Sequence, residues 1–334
     1  MNSQEAPPDH GGRLAELCRL FPGAPKPFLD LSTGINPYPY PAPKLAADHL
    51  TRLPAPEALA ALAAAAARAY GLIGDGEVIA APGSQALIGL LPLLRPAGRV
   101  AVLGPTYAEH AFAWRAAGHQ VQEVTTLAAA QAAEVVVLCN PNNPDGRMIA
   151  AAELRAFASP LAARGGWLVV DEAFADFAPA GVSLAPSFPA RGVIVLRSFG
   201  KASGLAGLRL GFALVPATLA PRLRAALGPW PVSGAAIAIG TQALDDARWR
   251  AAMAARLADE AARLDGALAA ADLVPRGGTP LFRLAETADA DKVFHRLGAA
   301  GILVRRFAGE PRWLRFGLPG TALARLSAAL AITS

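Results

Sequence analysis

The stretch RSFGKASGLAGLRLGF, from Arg197 to Phe212, holds the residues whose types and spacing first suggest chemistry in this chain. A lysine, two arginines and two hydroxyls stand there among glycines and apolar residues. A glycine-rich stretch with a lysine is typical of phosphate binding, and a lysine in a segment that otherwise looks buried needs a partner. The simpler alternative is a glycine-rich loop with a solvated Lys201.

Two nucleotide-binding motifs are excluded by the same residues. The P-loop requires G-x-x-x-x-G-K-[ST], but Val195 occupies the position of the first glycine and Ala202 follows the lysine. A dinucleotide-binding G-x-G-x-x-G does not follow the first strand of any suitable unit. The sequence therefore argues against nucleotide hydrolysis and hydride transfer.

Four further positions follow directly on short apolar runs, where the ligands of an open parallel sheet collect. Gly83 permits a tight turn before Ser84 opens a helix, so that backbone N–H groups face outward. Tyr107 can stack on a planar ligand, and NPNNPDG, Asn140 to Gly146, brings three amides to a strand end. Asp171 needs a partner for a buried carboxylate, either a structural cation or a protonated ring nitrogen of a ligand. Helix capping, packing and loop formation are the competing explanations.

The elements that must position these residues follow from the apolar pattern. An alanine-rich helix from Glu57 to Tyr70 ends at Gly71, and strands then alternate with helices. The predicted strands lie in EVIAA, RVAVLGP, AEVVVLCNP, GWLVVDEAF and GVIVLRSF, with helices near Ser84, from Ala108 to Ala117 and from Ala150 to Arg164. Continuous β-branched runs are typical of parallel strands buried on both faces. The sequence predicts an α/β fold with a mostly parallel sheet.

The flanking regions have a different pattern. Residues 1–56 are rich in proline and predict an extended arm rather than helix or sheet. Beyond about Trp230, the pattern predicts a helix from Asp245 to Ala271, a strand in PLFRLA, a helix from Asp291 to Ala300 and strands in GILVRR and RWLRFGL. We therefore expect an N-terminal arm at 1–56, a large α/β domain at 57–225 and a small α+β domain at 226–334.

Composition limits the kinds of partner. The net charge of +5 is scattered along helices without interleaved aromatics, which favours small phosphorylated or carboxylated substrates over nucleic acid. Cys18 and Cys139 stand far apart, which argues against a disulfide framework and a metal site. The polar N-terminus lacks an export signal, and the apolar stretch from Ala226 to Leu244 contains prolines and glycines. We expect a cytoplasmic protein without a membrane span, and a core or subunit contact in that stretch.

The set GSQ, PTY, NPNNPDG, DEAF and SFGKASGLAGLRLGF resembles, in order and spacing, the fold-type I pyridoxal-phosphate enzymes. The similarity is to the branch that contains histidinol-phosphate aminotransferase and threonine-phosphate decarboxylase, and it runs from about His10 to the C-terminus. It implies a large domain with a mostly parallel seven-stranded sheet and a smaller α+β C-terminal domain. It also implies pyridoxal 5'-phosphate as the cofactor, and a homodimer with its sites at the interface.

The resemblance implies a role for each site residue. Lys201 would be the covalent anchor of the cofactor and the later proton shuttle, and Asp171 would keep the ring nitrogen protonated. Tyr107 would stack on the ring, and Asn143 would bond its 3-hydroxyl oxygen. The cofactor phosphate would be held by Gly83, Ser84, Gln85, Ser198 and Arg209. The substrate would be bound by His10, Gly11, Asn36, Arg305 and Arg315.

Two departures and the N-terminal arm bear on the reaction. Phe174 stands where aminotransferases of this branch usually have a tyrosine that bonds a cofactor oxygen, and Leu53 stands where a tyrosine would reach the neighbouring subunit. HGG followed by FLDLSTGINPYPYP is similar to the start of threonine-phosphate decarboxylases of cobalamin synthesis, although a mobile tail is the alternative explanation of HGG. The resemblance implies decarboxylation of L-threonine O-3-phosphate. The alternatives are an aminotransferase acting on histidinol phosphate or a related phosphorylated amino compound, and a catalytically idle relative.

Overall fold

Helices and strands alternate along most of the chain, of which a computed structural model describes residue 8 and residues 10–189 and 191–331. The helices are Leu14–Leu20 (α1), Asp48–Thr51 (α2), Pro56–Tyr70 (α3), Ser84–Leu90 (α4), Glu109–Ala116 (α5), Ala151–Ala163 (α6), Phe199–Ala202 (α7), Ala220–Leu227 (α8), Gly234–Asp245 (α9), Ala247–Ala269 (α10), Ala290–Ala299 (α11) and Leu323–Ala331 (α12). The strands are Leu29–Asp30 (β1), Gly76–Ala81 (β2), Arg99–Leu103 (β3), Gln120–Val124 (β4), Val135–Cys139 (β5), Trp167–Asp171 (β6), Val193–Ser198 (β7), Gly211–Pro216 (β8), Val274–Thr279 (β9), Phe282–Glu286 (β10), Ile302–Leu303 (β11), Arg305–Arg306 (β12) and Trp313–Gly317 (β13).

These elements form two compact units. The large unit contains Tyr40–Asn143 and Met148–Arg250, and the small unit contains residues 10–39, Pro144–Arg147 and residues 251–331. Compact units need not coincide with independently folding domains. The domain bounds at 1–56, 57–225 and 226–334 therefore stay a prediction.

The large unit is built on a seven-stranded sheet with the strand order β2-β8-β7-β6-β5-β3-β4. The pairs from β7 through β6, β5 and β3 to β4 are parallel, and β8 pairs antiparallel with both β7 and β2. All five side chains of β5 are buried, as a strand covered on both faces requires. The predicted mostly parallel, seven-stranded sheet is confirmed.

Two helical layers cover this sheet. One core cluster joins α3, α6 and α9 to one face, and the other joins α4, α5 and α8 to the opposite face. The predicted end of α3 at Gly71 is confirmed, because Gly71 has φ 65° and is the left-handed C-cap. Among the described residues, no helix combines the length and the apolarity needed to cross a bilayer.

The small unit contains an antiparallel sheet with the order β12-β13-β10-β9. A short parallel pair, β1 with β11, ties residues 29–30 to residues 302–303. The predicted strands in PLFRLA and RWLRFGL and the predicted helix near Asp291 are confirmed as β10, β13 and α11. The strand predicted in GILVRR is divided into β11 and β12.

Two expectations about helices and extended segments were wrong. Residues 1–56 are not extended throughout, because α1 forms before the first proline of FPGAPKP and buries Leu17 completely. The helix expected from Asp245 begins at Ala247, because Asp246 ends α9 and its side chain accepts a hydrogen bond from Trp249 N at 2.9 Å. That bond caps the first turn of α10.

Candidate active site

Asp171 stands at the carboxyl end of β6 and is buried there. Its Oδ1 accepts a hydrogen bond from Ala173 N at 3.0 Å, and its Oδ2 lies 3.0 Å from His110 Nε2. Burial alone would raise the pKa of this carboxyl, but the hydrogen bond and charge of His110, with the charge of Lys201, outweigh it and lower the pKa. The carboxylate is therefore ionised and has a cationic partner.

The partner of Asp171, His110, was missed by the sequence analysis. His110 is buried on α5, and Cys139 at the end of β5 lies beside it, so that ligand atoms of the three residues come within 4.8 Å of one another. Burial opposes protonation of His110, but the Asp171 and Cys139 side chains outweigh it and raise the pKa of His110 to about 10. The sequence contained a signal for His110. It follows Tyr107 by three residues, or about one helical turn, so the two side chains are expected on the same face of the helix after β3.

Lys201 lies in the short helix α7, directly after β7. Its Nζ donates to Ser198 Oγ at 3.3 Å and lies 5.0 Å from the centre of the Phe174 ring. Its charge also lowers the pKa of Asp171. A half-buried lysine on an aromatic face does not fit the solvated loop that was the simpler alternative.

The start of α4 forms a cradle of hydrogen-bond donors. Gly83 has φ 86° and ψ 155°, and a Cβ at this position would lie 2.7 Å from Arg209 Nη2. A Cβ on Gly211 would lie 2.3 Å from Ser84 N. The close approach of these residues brings the guanidinium of Arg209 next to the first N–H groups of the helix, a set of donors that suits a phosphate.

Tyr107 and Gln85 are connected by hydrogen bonds. Tyr107 OH donates to Gln85 Oε1 at 3.1 Å, and Gln85 Nε2 donates to Glu109 Oε2 at 2.7 Å. The Tyr107 ring packs edge-on against His110, with 6.0 Å between the ring centroids. Glu109 was not singled out in the sequence, and its bond to Gln85 fixes the orientation of that amide.

The three amides of NPNNPDG have different environments. Asn140 donates to Ile149 O at 2.9 Å and Val182 O at 3.1 Å, and it accepts from Ile149 N at 2.8 Å. Asn142 accepts from the Thr106 hydroxyl at 2.7 Å and donates to Pro105 O at 2.9 Å. Both are fully buried and hold the loop, whereas Asn143 is half-buried. The role of Asn143, the amide that the resemblance selects for the cofactor, stays a prediction.

The predicted substrate residues lie in the small unit. His10, Gly11 and Arg305 line one small cavity of about 50 Å³, together with Ser32. Arg315 of β13 lies directly opposite Arg305 of β12 in the backbone register. The Arg315 side chain is buried, and its Nη2 donates a hydrogen bond to Ser32 O at 2.7 Å.

Asn36 and Ser32 make local hydrogen bonds in the small unit. Asn36 is buried, and its side-chain oxygen accepts from Tyr38 N at 2.9 Å, as in a local turn. Ser32 is a residue that the sequence analysis missed: its hydroxyl accepts from Gly12 N at 2.7 Å and donates to Asp30 Oδ1 at 2.6 Å. These bonds anchor the HGG segment beside the cavity.

Comparison with known proteins decides the family. Residues 26–331 match the aminotransferase class I and II model. The chain belongs to the aminotransferase class I and II family. It is 44% identical to a threonine-phosphate decarboxylase of Pseudomonas aeruginosa over 327 residues, which cover 96% of this chain and 97% of that protein. A threonine-phosphate decarboxylase of a Sinorhizobium species is also 44% identical, over 98% of each chain.

A solved structure of the same fold is the histidinol-phosphate aminotransferase of Sinorhizobium meliloti in complex with pyridoxal-5'-phosphate. It matches with a TM-score of 0.79 at 24% identity, over 99% of this chain and 97% of that one. The aminotransferase class I and II chain described here therefore shares the fold-type I architecture.

The described residues fit the cofactor of the aminotransferase class I and II family, pyridoxal phosphate. The donors around Gly83 and Arg209 suit its phosphate, the ionised Asp171 suits a protonated ring nitrogen, and the Lys201 amine suits its carbonyl group. Three polar parts of the cofactor, namely the phosphate, the ring nitrogen and the carbonyl group, thus have a matching group at the carboxyl edge of the large sheet.

Proposed function

We propose that this chain catalyses the pyridoxal-phosphate-dependent decarboxylation of L-threonine O-3-phosphate to (R)-1-amino-2-propanol O-2-phosphate, as a step of cobalamin synthesis. The observation that carries the proposal is the 44% identity, over 96% of the chain, to a protein named threonine-phosphate decarboxylase. The charge and hydrogen bonding around Asp171 and Lys201 support the same chemistry.

The candidate site residues of the large unit would each have a separate task. Pyridoxal phosphate supplies, when bound, an electron sink for the carbon that loses carbon dioxide. Lys201 Nζ would hold the cofactor, give way to the substrate amine and then return a proton to the α-carbon. Asp171, kept ionised by His110, would hold a proton at the ring nitrogen. Tyr107 would stack on the ring, and Asn143 would bond the 3-hydroxyl oxygen.

The cofactor phosphate would be held by the donors at the start of α4. These are Gly83, Ser84 and Gln85, with Ser198 and Arg209.

Phe174 brings no hydroxyl to the candidate active site, and its ring instead faces the Lys201 amine at 5.0 Å. The hydrogen bond that a tyrosine would make to a cofactor oxygen is therefore absent at this position.

The small unit would bind the anionic groups of the substrate. L-threonine O-3-phosphate carries a carboxylate and a phosphate, and the small unit offers two arginines, Arg305 and Arg315, with His10 and Gly11 at the same cavity as Arg305. Asn36 would contribute to this binding too. By holding the carboxylate and the phosphate of the substrate, these residues would orient the α-carbon for loss of carbon dioxide rather than of a proton.

The direct test is to incubate the purified protein with pyridoxal phosphate and L-threonine O-3-phosphate, and to assay carbon dioxide release. We expect release with the natural chain and with Lys292→Ala, an exposed lysine on α11 that serves as the control. Lys201→Ala should abolish both turnover and the cofactor fixed by borohydride, because no amine remains to hold the cofactor.

Other results of the same assay would contradict the proposal. Glutamate formation from histidinol phosphate and 2-oxoglutarate without carbon dioxide release would identify an aminotransferase. A protein that stays colourless with the cofactor would be a catalytically idle relative. Turnover that survives in Lys201→Ala would contradict the role of that residue.

We also propose that the protein is a cytoplasmic homodimer. Leu50, Leu53 and Trp230 are large apolar side chains with 71%, 68% and 55% exposure. Nearby, α3, β2 and the segment after α8 line an apolar groove of about 590 Å³. An apolar surface of this kind is typical of a subunit contact.

A further inference from the structure

A second cluster of buried charges lies in the large unit, around Arg197. The Arg197 side chain is 4% exposed, and its Nη1 donates to Glu172 Oε2 at 2.9 Å. Its Nη2 lies 3.3 Å from Asp176 Oδ1, and its guanidinium lies 4.1 Å from the centre of the Tyr70 ring. Neither the resemblance nor the proposed function assigns a task to these residues.

This cluster lies behind the candidate site, on the opposite face of the sheet. Glu172 follows Asp171 at the end of β6, and Arg197 precedes Ser198 in the last two positions of β7. Successive residues of a strand point to opposite faces. Accordingly, Asp171 contacts α5 through His110, whereas Arg197 stacks on the last residue of α3. The ion pair therefore joins the two strand ends that carry Asp171 and Ser198.

Glu172 is held from three sides. Its Oε2 also accepts from the Ser183 hydroxyl at 2.6 Å, and its Oε1 accepts from Leu184 N at 2.7 Å. The side chain is completely buried, and this burial raises the pKa of the Glu172 carboxyl even though Arg197 and both hydrogen bonds oppose the shift. With its carboxylate held by these three groups, Glu172 has a fixed position opposite the Arg197 guanidinium.

Stability alone does not account for this cluster. Removing two charges from water costs about as much as a buried ion pair recovers, and apolar side chains of similar volume often stabilise a fold as well or better. In addition, Arg197 Nε, Asp176 Oδ2 and Tyr70 OH have no hydrogen-bond partner within the described part of the chain. Each of these buried atoms adds a desolvation cost. What the pair does provide is a fixed distance between two strand ends.

We infer that Arg197 and Glu172 are positioning residues, which hold the ends of β6 and β7 together and so set the placement of the Asp171 carboxylate relative to the Lys201 amine. Neither residue touches the site, since both side chains lie on the far face of the sheet. The inference rests on the proposed function, because it assumes one cofactor that is held by both Asp171 and Lys201.

Three substitutions test the inference in the enzyme loaded with cofactor. Glu172→Gln removes one charge of the pair with little change of volume, and Arg197→Gln removes the other charge with a shorter side chain. Arg197→Lys keeps the charge but loses the planar fork. The control is Arg68→Gln, which breaks an exposed ion pair with Asp245 between α3 and α9 of the same unit. For each variant one would measure the cofactor dissociation constant, the pH midpoint of the bound cofactor's visible absorbance, kcat and KM for decarboxylation, and the urea midpoint.

We expect both glutamine variants to move the pH midpoint of the cofactor's absorbance by about half a unit or more and to weaken cofactor binding. The reason is that the Asp171 carboxylate and the Lys201 amine would shift relative to each other. We expect kcat to fall about tenfold with KM changed less than about twofold, because alignment rather than substrate binding is lost. Arg197→Lys should recover part of each effect, and Arg68→Gln should match the natural chain.

An unchanged absorbance midpoint and cofactor dissociation constant in both glutamine variants would overturn the inference, whatever the loss in urea midpoint. If these variants do not fold, Ser183→Ala removes one hydrogen bond from Glu172 and leaves the ion pair. A smaller shift of the midpoint in this variant would support the inference, and no shift would overturn it. Absence of visible absorbance and of carbon dioxide release in the natural chain would instead contradict the proposed function itself.

Discussion

His110 and Asp171 form a buried pair in which each residue stabilises the charged form of the other. A carboxylate can hold a proton on a bound heterocycle only if it stays ionised itself. The imidazolium of His110 ensures this on one side, and the Ala173 N–H donates on the other. At the scale of single residues, the reactivity of Asp171 therefore depends on a neighbour that makes no contact with the substrate in the proposed function.

The charge of His110 in this pair predicts how the free energy of unfolding depends on pH. The pKa of His110 is raised from 6.5 to about 10, so its contribution to the free energy of unfolding is fully present below pH 6.5 and is lost as pH rises through 10. His110→Gln keeps a hydrogen-bond donor but cannot be charged. We expect the natural chain to lose stability between these pH values, and the variant to lose less of it over the same window.

Urea denaturation at pH 6.5 and at about pH 9.5 checks this prediction. The matched control is His119→Gln, which replaces another buried histidine, one that is hydrogen-bonded to Gly98 N and Pro92 O rather than to a carboxylate. The control should lose stability at both pH values, because a buried side chain with two hydrogen bonds is replaced. An identical pH dependence in His110→Gln and the natural chain would show that His110 is not charged in the folded protein.

At the scale of elements, the start of α4 depends on the backbone of Gly83. Its φ of 86° and ψ of 155° lie in a region that only glycine adopts readily. A side chain there would also meet Arg209. The turn between β2 and α4 thus has no room for a Cβ at the place where a phosphate would bind.

Gly83→Ala should therefore weaken cofactor binding by about tenfold or more, because backbone strain of ~1–3 kcal/mol is combined with displacement of Arg209. Gly89→Ala is the matched control in the same helix, since a Cβ on Gly89 meets nothing within 4 Å. That control should bind the cofactor normally and gain up to about 1 kcal/mol in stability. Cofactor titration and thermal unfolding measure the two effects, and equal cofactor affinities of the two variants would exclude the cradle as the phosphate site.

At the scale of the whole molecule, the exposed apolar surface of the large unit has a consequence for assembly. A Cβ on Gly234 would lie 2.6 Å from His49 O, so the segment that carries Leu50 packs on the start of α9, shortly after Trp230. The exposed leucine and tryptophan thus belong to one part of the surface. In the proposed homodimer this surface would be covered.

Trp230→Glu should weaken the homodimer by about thirtyfold or more, since a buried tryptophan at an interface typically contributes at least ~2 kcal/mol. Leu93→Glu is the control, a large apolar residue with 67% exposure that follows α4 and is distant in sequence from the segments that carry Leu50 and Trp230. Sedimentation equilibrium over a range of protein concentrations measures the effect. A natural chain that stays monomeric, or a Trp230→Glu variant that stays as dimeric as the control, would contradict the homodimer or its placement on this surface.

The sequence by itself determined the parallel sheet and the position of most strands, because the continuous apolar runs are a local pattern that a strand buried on both faces requires. It also placed Lys201, Asp171 and Gly83 directly after predicted strands, since strand ends and glycine turns can be located along the chain. It failed at α1, where proline-rich surroundings concealed a short helix that is stabilised by burying Leu17.

Only the tertiary structure decided which residues become partners. His110 and Asp171 are 61 residues apart, and Arg197 and Glu172 are 25 apart, so no local pattern relates them. The fold also assigned Asn140 and Asn142 to the loop itself, because their amides meet backbone groups of other segments. Charge and orientation at the candidate site come from contacts between distant residues, and such contacts exist only once the chain has folded.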